Sequence, residues 1–196
     1  VLTGFKFIAE QIQHDEETGE HTFMFGFEES YGYLVKSFVR DKDAVQAVLL
    51  LTEVAAHFKN EGKTLYDGLQ ALYAKHGYFL EKTISVTVAG LEGPQKIKAL
   101  LDSLRASVPT GFGGLKVALA QDFAVNEQKD ANGVVSEIGL PTSNVLKYIL
   151  EDGSWIAVRP SGTEPKIKFY IGAKADNEAA AKDKVAALQA DLEKLQ

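Results

Sequence analysis

Apolar residues recur at helical spacing from the first turn of the chain. Over residues 4–13, Phe5, Ile8, Ala9 and Ile12 fall on one side, which predicts a short helix. His14 to Glu20 is polar and acidic and reads as a solvated turn. Alternation then takes over: residues 21–27 predict a strand with Phe23, Phe25 and Phe27 on one face, ending in Glu28-Glu29-Ser30-Tyr31-Gly32-Tyr33. Asp41 or Asp43 is placed to cap a long apolar helix over 44–60, stopped by Gly62. Thr64 with Asp67 makes a capping-box start for another helix, which Gly77 ends.

The pattern changes near residue 78. Residues 79–88 hold the branched, alternating run Ile84-Ser85-Val86-Thr87-Val88, a strand. Pro94 sits in the first turn of a helix over 94–107. Four β-like runs follow, at 115–123, 145–151, 154–159 and 166–174, with Gly153 turning the middle pair. Residues 126–144 are the loosest stretch, with Asn132-Gly133 as a turn. An Ala-rich helix over 177–195 closes the chain, with Val185, Leu188, Leu192 and Leu195 as its stripe. The second half therefore predicts a small α+β domain, one sheet covered by two helices. The boundary falls near residues 77–83. The first half shows several helices and one convincing strand, and a lone strand leaves its backbone edges unsatisfied. Its partners are expected upstream of Val1, so the chain reads as a piece of a longer protein.

Composition narrows the functional classes. With 196 residues and 45% hydrophobic content, the chain can bury a real core. The net charge of −6, without any block of Lys or Arg, argues against nucleic acid as a partner. The absence of cysteine excludes disulfides and thiolate metal sites and fits a reducing cytoplasm. No apolar run is long enough for a membrane helix, and no signal-peptide plan opens the chain.

The densest chemistry lies in Arg159-Pro160-Ser161-Gly162-Thr163-Glu164-Pro165, between two strand-like runs. Arg159 offers a planar fork of donors that matches phosphate oxygens. Ser161 and Thr163 add hydroxyls, and Gly162 lets backbone N–H groups turn toward one point. Lys168 projects from the strand that follows. The competing reading is a hairpin turn whose polar residues face water. A second motif, Gly26-Phe27-Glu28-Glu29-Ser30-Tyr31-Gly32, puts carboxylates and a hydroxyl at a strand end, which suits recognition of a polyol. Glu28 and Ser30 are two apart and would face the same way in an extended segment; a plain polar loop is the alternative. His14, His21, His57 and His76 lack metal-ligand spacing, and Gly111-Phe112-Gly113-Gly114 reads as a connection.

Together the two motifs resemble the α-D-phosphohexomutase superfamily, which includes phosphoglucomutases and phosphomannomutases. Phe25 to Gly32 is similar to the family's sugar-binding loop, and Arg159 to Pro165 to its phosphate-binding loop. Thr3-Gly4-Phe5-Lys6 resembles a segment that precedes the sugar loop, with Lys6 a weaker candidate. The resemblance implies that residues 1–80 are the C-terminal part of an α/β sugar-binding domain and 81–196 a complete fourth domain. It implies a hexose phosphate substrate, exchange of phosphate between O1 and O6 through a bisphosphate intermediate, and a parent enzyme using Mg2+ and glucose 1,6-bisphosphate. Arg159, Ser161, Gly162, Thr163 and Lys168 would hold the non-reacting phosphate; Glu28 and Ser30 would read sugar hydroxyls. The family's phosphoserine and magnesium loops have no counterpart in these residues, so the chain alone is expected to bind no cofactor and to be inactive without the missing N-terminal domains. Phosphopentomutase-like and phosphoglucosamine mutase relatives, and a non-catalytic sugar-phosphate module, stay open as alternatives.

Overall fold

A computed structural model describes residues 1–162 and 164–195. It divides into two units, Val1–Leu72 and the residues from Tyr73 onward. Thr163, assigned above to the phosphate loop, lies outside the described residues.

In the first unit, helix α1 (Phe5–Thr18) is longer than its apolar spacing predicts. His14 to Thr18, expected as a solvated turn, are helical. Gln11 donates to Asp15 Oδ1 at 2.8 Å one turn on, and Arg40 reaches Gln13 Oε1 at 3.1 Å. Arg40 also pairs with Glu16, whose carboxyl is held below its ordinary range by that bond. Gly19 then ends the helix in a left-handed conformation, φ 70°, with its N–H on Asp15 O. Such polar i,i+4 links stabilise a helix without leaving a hydrophobic signature.

The strand expected over 21–27 is confined to β1 (Gly26–Glu28), and it is not alone. It pairs antiparallel with β2 (Gly32–Leu34), so its partner comes from within the chain. The three phenylalanines do not share a buried face: Phe23 is half-buried, while Phe25 and Phe27 are 43% and 65% exposed. Helix α2 (Ala44–Asn60) starts as expected, with Asp43 accepting from the N–H groups of Val45 and Gln46. At α3 (Leu65–His76) Asp67 accepts from Thr64 N–H and Oγ1, both at 2.7 Å. The unit's core is small: Phe5, Ile12 and Leu34, with Ile8, Phe23 and Val39 against it. Helix α2 buries none of its residues, and Val45, Val48, Leu49 and Leu51 are exposed.

The second unit is an antiparallel sheet of eight strands. They are β3 (Tyr78–Thr87), β4 (Gly111–Phe112), β5 (Leu115–Asp122), β6 (Glu127–Asp130), β7 (Val135–Glu137), β8 (Leu146–Leu150), β9 (Trp155–Pro160) and β10 (Lys166–Ala175). The order is β3-β10-β9-β8-β5-β6-β7, with β4 beside β5. Residues 126–144, read as loose, contain β6 and β7, which pair through the turn at Gly133, φ 86°. Both strands are too short and polar to alternate visibly. One sheet face packs against α4 (Gly93–Ala106) and α5 (Glu178–Glu193). Its core unites Leu101 and Leu104 of α4, Leu188 and Leu192 of α5, and Ile156, Val158, Ile167, Phe169 and Ile171 of the sheet. Gly113 N–H donates to Asp191 Oδ2 at 2.7 Å, so the glycine-rich connection is tied to α5.

This asymmetry predicts unequal protection. Amides of β9 and β10, embedded in the large core, should exchange slowly, and those of α2 and β1 much faster. Hydrogen exchange on the 196-residue chain measures this directly; uniform protection in a monomer would contradict it.

Candidate functional site

Strands β9 and β10 carry the candidate phosphate loop between them. In their register Lys168 stands directly opposite Arg159, and Ile167 opposite Pro160. Period-two alternation sends Ile167, Phe169 and Ile171 into the core, so Lys168 and Tyr170 emerge on the other face. Val158 is likewise buried, which puts Arg159 on that same face. Two cations thus oppose each other on adjacent strands, an arrangement that destabilises a sheet unless something neutralises it. Among the described residues neither makes an ion pair with a carboxylate. Glu164, the carboxylate nearest in sequence to Arg159, is engaged by Lys166 Nζ at 3.0 Å. The Arg159 guanidinium carbon lies 5.8 Å from the centre of the Tyr170 ring.

Hydrogen bonds tie the described ends of the loop together. Ser161 N–H donates to Lys166 O at 2.8 Å, and Glu164 N–H to Ser161 Oγ at 3.3 Å. Val88 N–H donates to Pro165 O at 2.9 Å, pinning the far side of the loop to the end of β3. Gly162 is exposed and lies outside the left-handed region, and a Cβ there would meet nothing within 4 Å. Among the described residues nothing demands glycine at this position. What its missing side chain leaves is open access to the loop backbone.

Ser161 and Gly162 also border a cleft of about 490 Å3 against α4, walled by Ile97, Leu101 and Arg105. Arg105 Nε donates to Asp122 Oδ2 at 2.8 Å and Nη2 to Asn144 Oδ1 at 2.7 Å. Sequence reading missed this cluster, because its members are far apart in the chain and Arg105 shows only as a cation in a last helical turn. Nearby, the Tyr148 hydroxyl is buried with no hydrogen-bond partner among the described residues. Burial, and then the charge of Asp122, push its pKa from 10.0 up to about 12. The neutral phenol is the form the fold favours, so this contribution is complete below about pH 10 and is lost as pH rises toward 12. Over that window it amounts to ~3 kcal/mol. Tyr148→Phe should remove that loss, and at pH 8 should be neutral or stabilising because an unsatisfied hydroxyl disappears. Urea unfolding of both proteins from pH 8 to 11.5 checks this; parallel curves would contradict it.

In the first unit Glu28 and Ser30 do not form the extended pair that spacing implied. Glu28 ends β1, whereas Ser30 lies in the turn before β2, beside Tyr31 at φ 64°. The Glu28 side chain is 12% exposed, 3.5 Å from Lys42 Nζ. It lies against Gly32, where a Cβ would come within 2.8 Å of Glu28 Oε1. Lys42 is held above its ordinary range, chiefly by its bond to Asp41 and further by Glu28. Ser30 is exposed, and Lys6 stacks over Phe7 at 4.8 Å. An apolar hollow of about 590 Å3 lies beside the hairpin, lined by Phe25, Tyr33, Val48 and Leu51 among others.

Among the described residues no three His, Cys, Asp or Glu side chains converge to hold a metal ion. Among the described residues no helix is long and apolar enough to cross a membrane.

Comparison with known proteins gives this architecture its class. Residues 1–76 match the alpha/beta/alpha domain III of phosphoglucomutase/phosphomannomutase, and residues 86–190 match the C-terminal domain of the same family. The chain belongs to the phosphoglucomutase/phosphomannomutase family. It is 46% identical over 178 residues to a phosphoglucomutase of Staphylococcus epidermidis, and 44% identical over 178 residues to one of Staphylococcus haemolyticus. Each match covers 90% of this chain and 32% of the relative, so the chain spans about a third of the length of these relatives. The crystal structure of parafusin, a Paramecium phosphoprotein described as a phosphoglucomutase, shares the fold in its open form. Its TM-score is 0.63 at 21% identity, covering 97% of this chain and 31% of that one.

Proposed function

We propose that this chain is the substrate-recognition part of a phosphoglucomutase-type enzyme that interconverts hexose 1-phosphate and hexose 6-phosphate through a bisphosphate intermediate. In this reading residues 1–80 contribute the sugar-binding loop and residues 81–196 the phosphate-binding domain. The observation that supports it best is the facing pair Arg159 and Lys168 beside the open turn at Gly162. A phosphate dianion supplies the negative charge that pair lacks. Arg159 gives it a fork of N–H donors, Lys168 a point charge, and the backbone around Ser161 and Gly162 further donors, joined by Thr163. Glu28, fixed by Lys42 and Gly32, would accept from sugar hydroxyls, with Ser30 alongside.

In this reading these residues bind and orient, and the transfer of phosphate falls to other parts of the parent enzyme. Holding the distal phosphate turns the reacting end toward groups the rest of the parent enzyme supplies, and positioning is much of what phosphoryl transfer requires. In this reading magnesium and the bisphosphate primer belong to the parent reaction. The chain by itself should therefore bind glucose 1-phosphate without converting it. Calorimetry with glucose 1-phosphate and with glucose, beside a conversion assay with magnesium and glucose 1,6-bisphosphate, tests both halves. Binding that depends on the phosphate, without turnover, is the expected result. Turnover at the rate of a complete mutase would overturn the division of labour, and equal binding of glucose would overturn the phosphate site.

A further inference from the structure

The register of the second unit carries the candidate phosphate site one strand beyond the loop. Lys168 faces Arg159 on one side and Ser85 on the other, so Ser85, Lys168 and Arg159 form one row across β3, β10 and β9. The next row toward the loop repeats the chemistry. Thr87 stands opposite Lys166, and Lys166 O accepts from Ser161 N–H. Ser85 and Thr87 alternate with Ile84 and Val86, which pack on the core, so both hydroxyl residues stand on the face that carries Lys168. Both are exposed. Opposing residues in such a row have Cβ atoms only about 4.5–5.5 Å apart. Two rows thus set hydroxyl residues, ammoniums and a guanidinium side by side. Among the described residues the one carboxylate in an ion pair with them is Glu164, on Lys166.

We infer that Ser85 and Thr87, on edge strand β3, are further ligands of the phosphate held by Arg159 and Lys168. The idea rests on the phosphate reading above and widens that site from one loop to three strands. Hydroxyls are the complementary donors here. A fourth cation beside Arg159, Lys166 and Lys168 would add repulsion, whereas serine and threonine donate to phosphate oxygens without adding charge. The strand that brings them is also fixed to the loop, because Val88 N–H donates to Pro165 O at 2.9 Å. The hydroxyl residues and the loop therefore share one rigid frame.

The test uses the 196-residue chain and inorganic phosphate as the probe, with affinity read from NMR titration. Four proteins are compared: the unaltered chain, Arg159→Ala, the double variant Ser85→Ala with Thr87→Val, and Thr83→Val as a control on the same strand. Unchanged β9 and β10 amide shifts without phosphate establish that each variant folds. The double variant should weaken phosphate binding about five- to thirty-fold, Arg159→Ala more, and Thr83→Val less than two-fold. Wild-type affinity in the double variant alongside loss in Arg159→Ala would overturn this inference and leave the loop reading intact. No binding by the unaltered chain would overturn both.

Discussion

Arg159→Ala should lower the affinity of this chain for glucose 1-phosphate about ten- to two-hundred-fold and leave the second unit folded. A charge-assisted hydrogen bond to a dianion is worth ~1.5–3 kcal/mol, and the guanidinium is the group in the loop that can make two at once. Arg159→Lys should recover only part of the loss, because an ammonium cannot reproduce the planar fork. The stability effect separates this role from a structural one. If Arg159 held the turn through Glu164, alanine would lower the melting temperature. The Glu164 carboxylate is bonded to Lys166 at 3.0 Å instead, and Arg159 faces another cation. Removing it relieves repulsion and forfeits a stacking contact with Tyr170, two small effects of opposite sign. The melting temperature should stay within a few degrees. A destabilised variant with unchanged affinity would take Arg159 out of the phosphate site.

Phe169→Ala should cost ~3–5 kcal/mol of the stability of the second unit. Phe169 is fully buried, opposite Val158 on β9 and Ile84 on β3, at the centre of the sheet's covered face. Truncation leaves a cavity that the flanking strands, locked in register, cannot close. The functional consequence follows from position: Lys168 and Tyr170 are its immediate neighbours on the opposite face, so phosphate affinity should fall with the fold rather than independently. Urea denaturation followed by Trp155 fluorescence measures the loss. A change below 1 kcal/mol would mean that the core is far more plastic than its burial implies.

How far the sequence carried these conclusions can be traced element by element. Asp43 at the start of α2, the Thr64–Asp67 box and Pro94 in α4 are local devices, visible because their partners lie within a few residues. The runs at 154–159 and 166–174 were legible as strands, while the covered face that Ile156, Val158, Ile167, Phe169 and Ile171 form is seen in the fold. Polar chemistry was harder to read. The last turn of α1 depends on amide–carboxylate links and on Arg40, more than twenty residues away. The pairing of β1 with β2 was missed because three-residue strands give no period. Most of the candidate site depends on register. Alternation says which face a residue occupies, but a slip of one residue changes every opposing pair. The motif Arg159 to Pro165 was plain in the chain, whereas its juxtaposition with Lys168, Ser85 and Thr87 belongs to the folded sheet. The relation of Glu28 to Lys42 and Gly32 likewise arises from a hairpin turn, which spacing in an extended segment does not describe.

The most direct test of the phosphate site is a map of where a sugar phosphate touches the chain. Amide shift changes should be followed as glucose 1-phosphate is added to the isotopically labelled protein, with glucose as the control. The account predicts that glucose 1-phosphate shifts the amides of residues 159–162 and 166–168 first and most strongly, and that glucose leaves them unmoved. Shifts spread evenly over the surface, or confined to the cleft lined by Ile97 and Leu101, would contradict it.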